Sequence, residues 1–79
     1  MGAIRFARSA RKHRIGRAHV MYVIETNSPS DVAPSGELDA RKVWIGADDR
    51  GVELEIVAVV LTDEWLIIHV MPTALRRTS

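Results

Sequence analysis

The sequence contains no cysteine. A disulfide scaffold, a thiolate zinc centre and a cysteine nucleophile are therefore excluded, and a reducing compartment such as the cytosol fits. Long apolar runs are also missing: none approaches the ~18 residues of a membrane span. The opening MGAIRFARSARK has no apolar stretch of the signal-peptide kind, so a cytoplasmic protein with no membrane association is expected. A glycine-rich phosphate loop is absent too, since GADDRG is not followed by Lys-Ser or Lys-Thr. Finally, the first 24 residues hold no acid at all.

What is present is a chain of 79 residues, 47% apolar and 27% charged, which is the composition of a folded globular protein. One domain covering residues 1–79 is expected. A core of that size leaves a dimer mate or partner much to contribute to stability. The net charge of +1 conceals a segregation. The stretch IRFARSARKHRIGRAH, residues 4–19, carries Arg5, Arg8, Arg11, Lys12, Arg14 and Arg17 with His13 and His19, whereas all ten acids lie between Glu25 and Glu64. Arg76 and Arg77 follow near the C-terminus. Basic segments at both ends would make one positive face if the fold brought them together, the footprint of a nucleic-acid binder. The plainer alternative is the wet face of a helix.

AIRFA alternates, with Ile4 and Phe6 on one side, as a short edge strand does. RSARKHR reads as a polar helix and GRAHVMYVIE as a second, apolar one, broken apart at Gly16. Residues 26–40 hold Pro29, Pro34 and Gly36 and predict a mobile or functional loop. RKVWIGA, VELEIVAVVL and WLIIHVMP then read as three strands, joined by a DDRG hairpin turn and a TDE turn, with Pro72 as the stop. Strict alternation puts Trp65, Ile67, His69 and Met71 on one face of the last strand. The middle strand is apolar on both faces at its end, so its second face calls for a cover: a partner protein, a homodimer mate or the chain's own C-terminus. The expected fold class is α+β, two N-terminal helices packed on a small antiparallel sheet in the order β-α-α-β-β-β, with a flexible tail at residues 73–79.

His13 and His19 are six residues apart across Gly16 and share no helical face, so no metal site and no cofactor are expected. His69 sits within LIIHVM, where an ionisable group is costly to bury alone. It is either satisfied by a backbone carbonyl or by solvent, or it is a general acid/base or phosphate contact. RNA cleavage by the 2′-OH needs a base, an acid and cations for the developing phosphorane charge, which His, Lys and Arg supply without metal.

KHRIGRAHV (residues 12–20), RKVWIGADDRGVELEIVAVV (residues 41–60) and LIIHVMPTALRR (residues 66–77), in this order, resemble the BrnT toxins. The similarities lie in a Lys-His helix junction before an apolar helix, an Arg-led strand reaching a hydrophobic-Gly step, and a last strand with an arginine-rich tail. The resemblance implies a RelE/ParE/BrnT-like fold and a ribonuclease toxin of a type II toxin-antitoxin pair. Such a toxin cuts mRNA, free or on the ribosome, and is neutralised by a cognate antitoxin, with a homodimer or a toxin-antitoxin heterotetramer as the assembly. Carried onto this chain, Lys12, His13 and Arg41 match family positions. His69 stands where the family usually has an arginine, and would act as acid/base in its place. Pro72, Thr73 and Ala74 replace a serine-alanine-arginine stretch. The expected catalytic set is His69, Lys12, His13 and Arg41, with Arg8, Arg11, Arg14 and Arg76 holding RNA. The alternative is a non-catalytic nucleic-acid- or protein-binding module of the same fold.

Overall fold

The structure, a computed structural model, describes residues 3–78, the side chains of Arg77 and Thr78 excepted; Ser79, at the end of the expected tail, lies outside that range. The elements are β1 (Ala3–Phe6), a 3-10 turn (Arg8–Arg11), α1 (Arg17–Thr26), β2 (Ser30–Val32), β3 (Arg41–Ala47), β4 (Glu53–Val60), β5 (Glu64–Pro72) and a C-terminal 3-10 helix (Thr73–Thr78). They build one five-stranded sheet in the order β1-β5-β4-β3-β2. β1 runs parallel to β5 and the other pairings are antiparallel. The expected α+β arrangement, two helices on an antiparallel RelE/ParE/BrnT-like sheet, is therefore corrected: this is a mixed sheet, mostly strand, with one α-helix among the described residues.

The first expected helix fails for physical reasons. RSARKHR offers one apolar residue, Ala10, to the core, and a segment that short is not helical without an apolar face to hold it. Arg8, Arg11 and Lys12 would also stack like charges three and four residues apart. Only the turn Arg8–Arg11 forms, and Arg14 then enters the left-handed region at φ 55°. The second helix does form because Val20 and Val23, one turn apart, are fully buried and Ile24 packs beside them. It ends where Asn27 donates both its backbone N–H and its side-chain amide to the Val23 carbonyl. That amide lies flat against Gly46 of β3, where any β-carbon would collide with it.

Residues 26–40 are not all loop. Ser30–Val32 pair with β3, and Lys42 of β3 forms an ion pair with Asp31. The polar, proline-flanked sequence hid this three-residue edge strand, which has no alternation to detect. Likewise, Thr73–Thr78 wind into a 3-10 helix, and Thr73 and Arg76 reach Glu53 and Glu55 of β4.

One face of the sheet carries the core: Trp44, Leu54, Ile56, Ala58, Ile67 and Val70, under α1 and Ala10. The expected alternation along β5 breaks. Val57 pairs with His69 but Ala58 with Ile67, so Ile68 is a bulge. A bulge inserts one residue and reverses the facing of everything beyond it. Trp65, Ile67 and Val70 thus face α1, while Leu66, His69 and Met71 face the other way with Val57 and Glu55. The grouping of His69 with Trp65 and Ile67 is corrected accordingly.

The β3–β4 hairpin forms at the expected DDRG turn. Gly51 takes φ 81°, and Asp48 closes the turn through its backbone to Val52 and Gly51. The buried Asp48 carboxylate, 3% exposed, accepts from the backbone amides of Arg50 and Val52 and from the Arg50 guanidinium at 2.7 Å. Burial pushes its pKa up, but the Arg50 side chain and these two amides outweigh burial and hold the carboxyl below the ordinary 3.8. The unfolded chain then takes up this proton first as pH falls. Asp48 therefore contributes fully above pH 3.8, and its contribution is lost as pH drops through the lower folded value. Asp48→Asn should lower stability by about 1–3 kcal/mol near neutrality. In urea titrations the gap between the native chain and the variant should shrink below pH 3.8; a gap independent of acid would contradict this account.

Candidate nucleic-acid interface

The basic segment is held on the helix side of the sheet. Phe6 pairs with Ile67 in the β1–β5 ladder, the Ala7 amide donates to the Ile67 carbonyl, and the Ser9 hydroxyl donates to Ile68. Ala10 and Ile15 pack into the core. The polar residues between these anchors are pushed outward.

Two of the six cations are engaged. Arg5 forms an ion pair with Glu64, and Arg17 lies over the Phe6 ring, 5.0 Å from its centroid, while donating to the Ile4 carbonyl. The side chains of Arg8, Arg11, Lys12 and Arg14 have no hydrogen-bond or ion-pair partner among the described residues. Four uncompensated charges within seven residues repel one another, and Arg14 also bears the cost of a left-handed backbone, about 1–2 kcal/mol. Two of the four, Arg11 and Arg14, line an open cleft of about 330 Å³ together with Phe6, Ile15, Gly16 and Arg17. The first turn of α1 opens onto it, with Gly16 supplying no side-chain cap and no acid following, so the positive end of the helix adds to the field. His13, half-buried in the turn beside Lys12, also lacks a side-chain partner among the described residues.

The other expected site residues lie elsewhere. His69 points from the opposite face of the sheet, its Nε2 3.1 Å from Glu55, whose second oxygen accepts from Arg76. Arg41 shares that face, but Val43 and Val57 stand between it and His69 in the strand register. The structure thus gathers Lys12, His13, Arg8, Arg11 and Arg14 on the helix side, and His69, Arg41 and Arg76 on the other. Arg17 was missed as a site residue because its role depends on Phe6, eleven positions earlier in the chain; a lone arginine at a helix start carries no such signal.

His19 Nδ1 contacts Asp49, and with Asp48 these are the metal-capable group among the described residues. Both oxygens of Asp48 are already filled by Arg50 and Val52, which leaves a cation two donors. A second cleft of about 230 Å³, lined by Ile4, Met21, Ile24, Glu25, Pro29, Trp44 and Trp65, is apolar, and the buried Trp44 Nε1 has no acceptor. Among the described residues no helix is long and apolar enough to cross a membrane.

Comparison of the chain with protein-family models, with curated proteins and with solved structures found no match in any of the three.

Arg14 ties strain to charge, and the two separate by substitution. Arg14→Gly should leave stability unchanged or raise it by up to about 1 kcal/mol, since glycine adopts this backbone freely. The same change should weaken binding to heparin or RNA at low salt. A variant both less stable and equally tight in binding would show that Arg14 is held for packing instead.

Proposed function

We propose that this chain is an RNA-binding ribonuclease toxin of a toxin-antitoxin pair, working at the basic cleft. One observation carries the reading: within the seven residues 8–14, four cations and His13 have no side-chain partner among the described residues, and two of those cations, Arg11 and Arg14, line an open cleft. Polyanion binding is what offsets such repulsion, by neutralising phosphates and releasing counterions. The similarity of KHRIGRAHV to the toxin helix junction supports the same segment.

The chemistry needs few groups. His13 takes the proton of a ribose 2′-OH, whose oxygen attacks the adjacent phosphorus. Arg11 and Arg14 balance the charge gathering on the phosphorane oxygens, and Lys12 delivers a proton to the departing 5′-oxygen. A 2′,3′-cyclic phosphate and a free 5′-hydroxyl result, and none of these roles calls for a metal ion. His69 and Arg41, across the sheet, take no part. Such a toxin works in the cytoplasm on mRNA, free or ribosome-bound. Its antitoxin, or a second copy of the chain, would find apolar surface on the far sheet face, where Ile45 is 50% exposed. The location of His69 on that face favours a second reading, a binder without cleavage, because it leaves His13 as the one imidazole within the basic run Arg8–Arg14.

Induction of the chain alone in a bacterium separates the two. Growth arrest with loss of bulk mRNA is expected. It should be abolished by His13→Ala, the loss of a general base costing about 10²–10⁴ in rate, weakened by Lys12→Ala, and unaffected by His69→Ala. Intact RNA and normal growth at good expression of the folded protein would sink the ribonuclease and leave the binder.

A further inference from the structure

Arg17 differs from the other cations of the basic segment. Arg8, Arg11, Lys12 and Arg14 have no partners among the described residues, whereas the Arg17 guanidinium is held twice: by the Phe6 ring at 5.0 Å and by the Ile4 carbonyl at 3.3 Å. Its anchors belong to β1, which is fixed in turn by the ladder to β5. A guanidinium held in this way has lost much of its rotamer entropy before any ligand arrives. One side of the group is covered by Phe6. The residue is nonetheless exposed and lines the cleft, so the other side is open to it.

A planar cation with a free face stacks on planar π-systems, and nucleobases are stacked in this way by arginine in RNA recognition. The cleft's volume falls within the ~300–1,000 Å³ range of small-ligand pockets. Its lining is apolar at Phe6 and Ile15 and cationic at Arg11 and Arg14. An apolar wall, a stacking plane and two phosphate-binding side chains are the requirements of one nucleotide, not of a continuous helical backbone. We propose that Arg17, backed by Phe6, is a stacking platform for a single unpaired nucleobase, with Arg11 and Arg14 holding its flanking phosphates, so that the site selects single-stranded over duplex RNA. A duplex cannot fill it, because both faces of each base are already stacked. This inference rests on the cleft being an RNA site, as proposed above. Arg17 is a specificity residue here, separate from the proton transfers assigned to His13 and Lys12.

The test is fluorescence anisotropy with a short labelled RNA, single-stranded or annealed to its complement, titrated with the full chain across a range of salt. The native chain should bind the single strand about tenfold tighter than the duplex, as expected for one stacked base. Arg17→Lys keeps the charge and removes the plane, and should cancel that preference without changing the salt slope. Arg11→Gln should weaken both forms alike and flatten the slope by about one. If Arg17→Lys loses its circular dichroism spectrum, Phe6→Leu makes the same comparison with every charge in place. Equal affinity of the native chain for both RNAs, or a preference that survives Arg17→Lys and Phe6→Leu, would overturn the platform and leave the cleft a general polyanion site. No binding of either RNA by the folded native chain would overturn the RNA site itself along with it.

Discussion

The parallel pairing of β1 with β5 is the constraint on which the rest of the molecule depends. Four residues near one terminus add a strand to the far side of a meander made by the other half of the chain. Once Phe6 lies against Ile67, the next ten residues must climb from the sheet edge to the start of α1. They do so with little apolar material, Ala10 and Ile15 alone reaching the core. The cations between have nowhere to go but outward, and no acid among the described residues pairs with Arg8, Arg11, Lys12 or Arg14. The basic cleft is thus a consequence of topology acting on composition: anchors at both ends of the segment and charge between them.

The β5 bulge has the opposite effect on the histidine. Without Ile68 as an extra residue, His69 would face the core beneath α1, where an imidazole with no partner is costly to bury. The bulge turns it outward to Glu55, leaves its side chain 37% exposed, and lets Ile67 and Val70 both fill the core. A single inserted residue thus completes the hydrophobic layer and divides the candidate chemistry between two faces of the sheet. The far face is partly covered by the C-terminal 3-10 helix, through Thr73 and Arg76, as one of the covers expected from the two-faced strand would do.

The parts legible in the sequence were those with a local cause. The three long strands and the DDRG turn follow from alternation and from Asp and Gly at the turn. The edge strand β1 and the apolar helix follow from short periodic patterns, and the charge cluster from a simple count. What was illegible depended on distant contacts. RSARKHR has tolerable local helix propensity and fails only because no surface receives it. Ser30–Val32 becomes a strand only because β3 offers a free edge. Nothing in LIIHVM says which residue will be the bulge, and that residue decides where His69 points. Arg17 gains its meaning from Phe6, which periodicity does not connect to it.

The order of the sheet also bears on how the protein behaves in a crowded solution. The three strands rich in valine, isoleucine and leucine, β3, β4 and β5, are all interior, and the edges are β1, of four residues, and β2, of three. Open edges invite further strands from other molecules in proportion to their length and flatness. Here each edge is too short to template such growth, and each carries an ion pair, Arg5 with Glu64 on one side and Asp31 with Lys42 on the other. A chain whose central strands would be prone to fibre formation if they were exposed is shielded along Arg41–Val43 of β3 and Glu64–Ile67 of β5 by seven residues of modest, charged strand.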